Sequence, residues 1–74
     1  MSRLPRVSGR DVVTALGKIG YNFDRQRGSH IVLRHFEPPH RMLTVPDHTE
    51  IAKGTLRAII RQAGLTVEEF TDLL

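Results

Sequence analysis

Apolar side chains recur at helical spacing from residue 8 to residue 19. Val12, Val13, Leu16 and Ile19 fall on one face. Ser8 is a good N-cap, and Asp11 stands at the third helical position, where its carboxylate can answer the cap. Gly20 is a natural left-handed stop. Gly17 weakens the helix by about 1 kcal/mol relative to Ala unless close packing requires it.

The period then changes to two. Over residues 21–27, Tyr21 and Phe23 lie on one side, and Asn22, Asp24 and Gln26 on the other. Gly28-Ser29 supplies a tight turn. Over residues 30–36, Ile31 and Leu33 face one way, and His30, Val32 and Arg34 the other. Glu37-Pro38-Pro39-His40 cannot continue a central strand, because two prolines remove two donors. Residues 41–45 form a third strand with Leu43 and Val45 inward, and Pro46 ends it. After a loop over residues 46–53, Gly54-Thr55 opens a second helix with Leu56, Ile59, Ile60 and Ala63 on its apolar face, and Gly64 stops it. Thr66 and Glu69 make a capping box for a short last helix that ends near Leu74. Val67, Phe70 and Leu73 or Leu74 pack it back. The expectation is an α+β fold in the order α-β-β-β-α-α, one domain over residues 1–74. Helices cover one face of a three-stranded antiparallel sheet and leave the other in water.

Composition narrows this further. A chain of 74 residues buries only about 60% of its unfolded surface. It has no cysteine, so disulfides and thiolate zinc sites are excluded. No apolar run approaches the roughly 20 residues that span a bilayer. Met1 to Arg6 lacks the apolar core of a signal peptide, so a cytoplasmic location without membrane attachment is expected. The net charge of +3 is uneven: +5 over residues 1–34, +1 over 35–64 and −3 over 65–74. A basic body with an acidic tail suits a polyanionic partner, although an ordinary solvated surface has the same composition.

Gly28-Ser29-His30 is where chemistry enters. The period of two places His30 on the solvent face of the sheet, beside the turn. A histidine there can transfer protons near neutral pH. Gly28 lets a phosphate backbone approach without a Cβ in the way. Ser29 offers a hydroxyl and a backbone donor. Arg25, Arg27 and Arg34 can supply positive charge nearby. RNA cleavage by its own 2′-hydroxyl needs a base, positive charge at the phosphate and an acid for the leaving oxygen, with no metal or cofactor. The competing reading is an exposed strand histidine after an ordinary turn. His35 shares the parity of Ile31 and Leu33, which suggests a partly buried structural role. His40 and His48 fall in loops, and no histidine spacing matches a familiar chelating pair. Lys53, Arg57 and Arg61 recur every four residues, as a phosphate rail or a solvated helix face. Tyr21, Phe23 and Phe70 read as core, so base stacking has little support.

The chain resembles the HicA family of toxins from toxin–antitoxin pairs. The resemblance lies in Ser8-Gly9 with its helix, Gly20-Tyr21 leading into Arg25-Gln26-Arg27-Gly28-Ser29-His30, Val45-Pro46-Asp47-His48, the run from Lys53 to Leu65, and Glu68-Glu69-Phe70. It covers nearly the whole chain in order. It implies an RNA-cleaving toxin that degrades mRNA and so inhibits translation. It also implies a fold similar to the double-stranded-RNA-binding domain, a monomeric toxin, and a HicB-type antitoxin covering the active face. The family's catalytic histidine maps to His30, with Gly28 and Ser29 as motif neighbours. The alternatives are a non-catalytic RNA-binding module on the same fold and a protein-interaction domain.

Overall fold

A computed structural model describes residues 3–74; Met1 and Ser2, part of the N-terminal stretch read above, lie outside the described residues. The elements are α1 (Gly9–Gly17), β1 (Tyr21–Arg27), β2 (His30–His35), β3 (Met42–Pro46), α2 (Lys53–Gln62) and α3 (Val67–Asp72). The strands form one antiparallel sheet in the order β1-β2-β3. The fold is the expected α+β, with the expected element order. Among the described residues no helix is long and apolar enough to cross a membrane.

Local chemistry sets the helix starts. The Ser8 Oγ accepts from the Asp11 amide at 3.0 Å, and the Asp11 carboxylate accepts from the Ser8 amide at 3.0 Å. Thr66 and Glu69 repeat this reciprocal box at the start of α3. Each box satisfies two amides that the helix itself leaves without partners. Several boundaries differ from expectation: β2 ends at His35 rather than at residue 36, β3 runs over Met42–Pro46 rather than 41–45 and so takes in Pro46, and α3 ends at Asp72. α1 ends at Gly17 rather than at residue 19, and residues 18–20 form a turn. α2 begins at Lys53, one residue before Gly54, with Ala52 as a cap that offers no side-chain acceptor.

The core is a single cluster. Ile31 and Leu33 of β2 and Leu43 and Val45 of β3 are buried against Val12, Ala15 and Leu16 of α1, Leu56, Ile59 and Ile60 of α2, and Phe70 of α3. The central strand is therefore fixed by apolar contacts along its whole length, and a slip of one residue would turn all of them to water. Val7 and Ile51 join the core from the flanking segments, held by an Ile51 amide to Val7 carbonyl bond of 2.9 Å.

Phe23 departs from the expected core: its side is correct, but it is 61% exposed. It lies on the edge strand β1 beside Arg10, Val13 and Thr14, at the flank of α1 rather than beneath its apolar stripe. Tyr21 and Phe70 are buried as expected.

Two glycines of α1 test the packing in opposite directions. A Cβ on Gly9 would stand 2.0 Å from the Pro46 carbonyl oxygen, because the start of α1 presses on the end of β3. A Cβ on Gly17 meets nothing within 4 Å, so close packing does not require that glycine. Gly17→Ala should raise stability by about 0.5–1 kcal/mol, since alanine loses less entropy in a helix. Gly9→Ala should lower stability by more than that gain. Thermal melting of both variants checks this, and a Gly9→Ala protein as stable as the parent would contradict the packing.

Candidate active site

The open face of the sheet is built by register. Opposed residues on antiparallel strands point to the same side. Arg27 opposes His30, which opposes Pro46; Arg25 opposes Val32, which opposes Thr44; Asn22 opposes Arg34, which opposes Met42. These three rows form the side of the sheet away from the helices. His30 is exposed in the middle of the first row, at the start of β2; Arg27 lies beside it, Arg25 one row on and Arg34 two rows on, all of them exposed.

Strict alternation along β1 would have put Arg25 and Arg27 on the covered side with Tyr21 and Phe23. A β-bulge prevents this. Phe23 opposes Leu33 and Arg25 opposes Val32, so Asp24 is left without an opposite residue. From that point the strand's parity reverses. Arg25 and Arg27 come up beside His30, and Gln26, expected with Asn22 and Asp24, turns to the covered side opposite Ile31. The Asp24 carboxylate pairs with the Arg25 guanidinium at the bulge. Among the described residues, Arg27 and Arg34 have no carboxylate partner.

The turn that carries Gly28 and Ser29 has a positive φ of +54° at Gly28 and none at Ser29, as in type II′ hairpins. Nothing stands within 4 Å of a Cβ built on Gly28, so this point of the backbone is open to approach. Below it lies a network that the sequence reading did not identify. The Asp47 amide donates to the Ser29 carbonyl at 2.6 Å. The Gln26 side-chain amide donates to the Gly28 carbonyl at 3.0 Å and to Asp47 Oδ2 at 3.1 Å. Arg10 reaches the same carboxylate oxygen at 3.3 Å. The Gly9 amide holds the His48 carbonyl at 2.9 Å, which locks this segment to the start of α1. Asp47 lies within Val45-Pro46-Asp47-His48, and that segment was the only sequence signal for it.

The remaining histidines divide as expected. His35 is half-buried, and its Nδ1 accepts from the Glu37 amide at 3.1 Å. That leaves Nε2 to carry the proton and donate to the Ile19 carbonyl at 2.8 Å. Its ring also meets Tyr21 edge-on and stacks on Phe36. His40 and His48 lie in loops, and His48 is exposed. Among the described residues no group of three histidines or carboxylates is placed to hold a metal ion.

Lys53 and Arg57 do not join His30. They line a groove with Arg3, Leu4 and Arg6. Gln62, about 140° around the helix from Arg57 at 3.6 residues per turn, borders the β3 edge with Arg41, Met42 and Leu43. The stripe of Lys53, Arg57 and Arg61 thus lies on the flank of α2 turned away from that edge.

A small α+β sheet with one covered face and one open basic face defines the class of this protein, and known proteins agree. Residues 9–65 match the family model described as the HicA toxin of bacterial toxin–antitoxin systems, and the chain belongs to that family. A solved structure described as a toxin–antitoxin complex from Streptococcus pneumoniae is 33% identical in sequence. It aligns with a TM-score of 0.68 over 80% of this chain and 98% of that one. A search among curated proteins gives no match.

The two sheet histidines should behave oppositely in stability. His35→Ala removes the partner of a half-buried carbonyl and should cost about 1–3 kcal/mol. His30→Ala removes a ring that makes no contact of this kind and should stay within about 0.5 kcal/mol of the parent. Urea denaturation of both variants measures the contrast.

Proposed function

We propose that this chain is an endoribonuclease toxin that cleaves mRNA without a metal ion and is silenced by a HicB-type antitoxin. The observation that carries the reading is His30, free and exposed on the open face, with Arg25, Arg27 and Arg34 on the same face. The catalytic role of His30 rests on the family resemblance. The geometry supports it by giving the ring access to solvent and cationic neighbours.

The chemistry follows from RNA itself. Its 2′-hydroxyl loses a proton and attacks the adjacent phosphorus, forming a 2′,3′-cyclic phosphate. The 5′-oxygen of the next nucleotide leaves and takes up a proton. His30 carries one of these two proton transfers. Arg27, opposite His30, holds the phosphate and balances the charge that builds on its oxygens; Arg25, shared with Asp24, and Arg34, about 13 Å along β2, meet the neighbouring phosphates. Gly28 allows the RNA backbone close to the ring, and Ser29 follows it in the turn. Lys53, Arg57 and Arg61, on another flank, contact RNA extending beyond the cleavage point. The complex named for the Streptococcus pneumoniae structure supports an antitoxin as partner. We assign its contact to the open face, where it buries His30 and faces the arginines with carboxylates.

His30→Ala should lower RNA cleavage by roughly 10²–10⁴-fold with the fold intact. Excess EDTA should leave the wild-type rate unchanged. Cleavage of a labelled RNA by both proteins, with and without chelator, measures this; an alanine variant at wild-type rate would remove His30 from the reaction.

Binding should also report the face. In the His30→Ala background, RNA affinity should fall with salt with a slope near −0.7 per phosphate neutralised on a single strand. Replacing Arg27 and Arg34 together with Gln should reduce that slope by about 1.4. Fluorescence anisotropy over a salt series measures it, and an unchanged slope would move the RNA elsewhere.

A further inference from the structure

We propose that Gln26 and Asp47 are positioning residues. They hold the Gly28-Ser29 turn from the covered side of the sheet and so set where His30 stands. The inference rests on the catalytic reading of His30 and adds to it the machinery that aims the ring.

Three observations converge on it. Gln26 and Asp47 are 21 residues apart, yet both bond the turn and each other. Gln26 takes the Gly28 carbonyl, and the Asp47 amide takes the Ser29 carbonyl. Both carbonyls of the turn are therefore held, immediately before the residue that carries the ring. The Asp47 side chain is only 21% exposed, and its carboxylate also receives Arg10 from α1. Finally, the bulge at Asp24 is what turns Gln26 to this side, because an unbulged β1 would point it at solvent on the open face.

The location decides the kind of role. The Gln26 side chain lies under the sheet, as the register opposite Ile31 requires, and RNA on the open face does not meet it. Its influence passes through the backbone of residues 28–30. Two-residue turns flex readily unless their carbonyls are held, and displacing a reacting group by about 1 Å is enough to cost 10²-fold in rate. Loss of the clamp should therefore appear in kcat, with substrate binding retained by the arginines above.

The test uses Gln26→Ala, Asp47→Ala and Asp47→Asn in the full chain, assayed on a labelled RNA well below their melting temperatures. Gln26→Ala, which frees the Gly28 carbonyl, should lower kcat by roughly 10- to 100-fold while KM changes less than about twofold; Asp47→Ala, which keeps the backbone bond to Ser29 and removes the carboxylate that anchors Gln26, should lower it in the same direction by less. Asp47→Asn keeps an oxygen for the Gln26 amide and should recover kcat to within about threefold of the parent. Amide order parameters at Gly28, Ser29 and His30 should fall in the two alanine variants and return with Asn. That readout needs no RNA. Unchanged order parameters would overturn the clamp whatever the enzyme does. Looser turns with unchanged kcat would show that the clamp does not aim His30. Loss confined to KM would place these residues in substrate binding instead. Should His30→Ala itself cleave normally, the catalytic reading fails while the order parameters still decide the clamp.

Discussion

One unopposed residue in β1 governs what shares a face with His30. The bulge at Asp24 shifts the pairing between Phe23 and Arg25 and reverses the parity of everything after it. Before the bulge, β1 serves the core with Tyr21. After it, the strand serves the open face with Arg25 and Arg27 and sends only Gln26 downward. Bulges cost a ladder position and add local twist, so they persist where they re-aim side chains. Here the re-aiming has two products, a pair of guanidiniums above the sheet and an amide below it.

The bulge acts on a rigid reference. β2 is the central strand, and its inward residues Ile31 and Leu33 are buried between α1, α2 and the neighbouring strands. Burying each such side chain is worth about 1.5–3 kcal/mol, so the parity of β2 is not negotiable. His30 is therefore kept outside by side chains on the opposite face of its own strand. β1, at the edge, has fewer apolar contacts to lose and can accept the extra residue. β3 is an edge strand too, but Leu43 and Val45 bury its inward side, so the irregularity falls in β1, where nothing after Tyr21 is buried.

The same logic explains which features were legible in the sequence. Ser8 with Asp11 and Thr66 with Glu69 act over three residues, so the helix starts were readable. Ile31, Leu33, Leu43 and Val45 keep an unbroken period of two, so the faces of β2 and β3 followed, and with them the exposure of His30 and the half-burial of His35. The run Asp24-Arg25-Gln26-Arg27 has no apolar residue to mark its inward side, so nothing in it betrays the bulge. Phe23 has the right parity, but its burial depends on where the flank of α1 passes, a tertiary matter. The pairing of Gln26 with Asp47 joins residues with no local relation. The stripe of Lys53, Arg57 and Arg61 was readable as a stripe, yet its direction is set by which way Leu56, Ile59 and Ile60 turn α2 against the sheet.

A chain of 74 residues has little surface to divide among tasks. The helices cover one face of the sheet, which leaves the other as the broad surface on which His30 can be reached. Under the proposed function, RNA and antitoxin must then compete for one face, and inhibition needs no conformational change in the toxin. The structural duties lie underneath, in the apolar core and in the contacts of Gln26, Asp47 and Arg10. Charge on the open face can therefore vary without loosening the fold, and the support can vary without changing the charge that RNA meets. This separation of aiming from holding comes from the alternation of a β-sheet, interrupted once at Asp24.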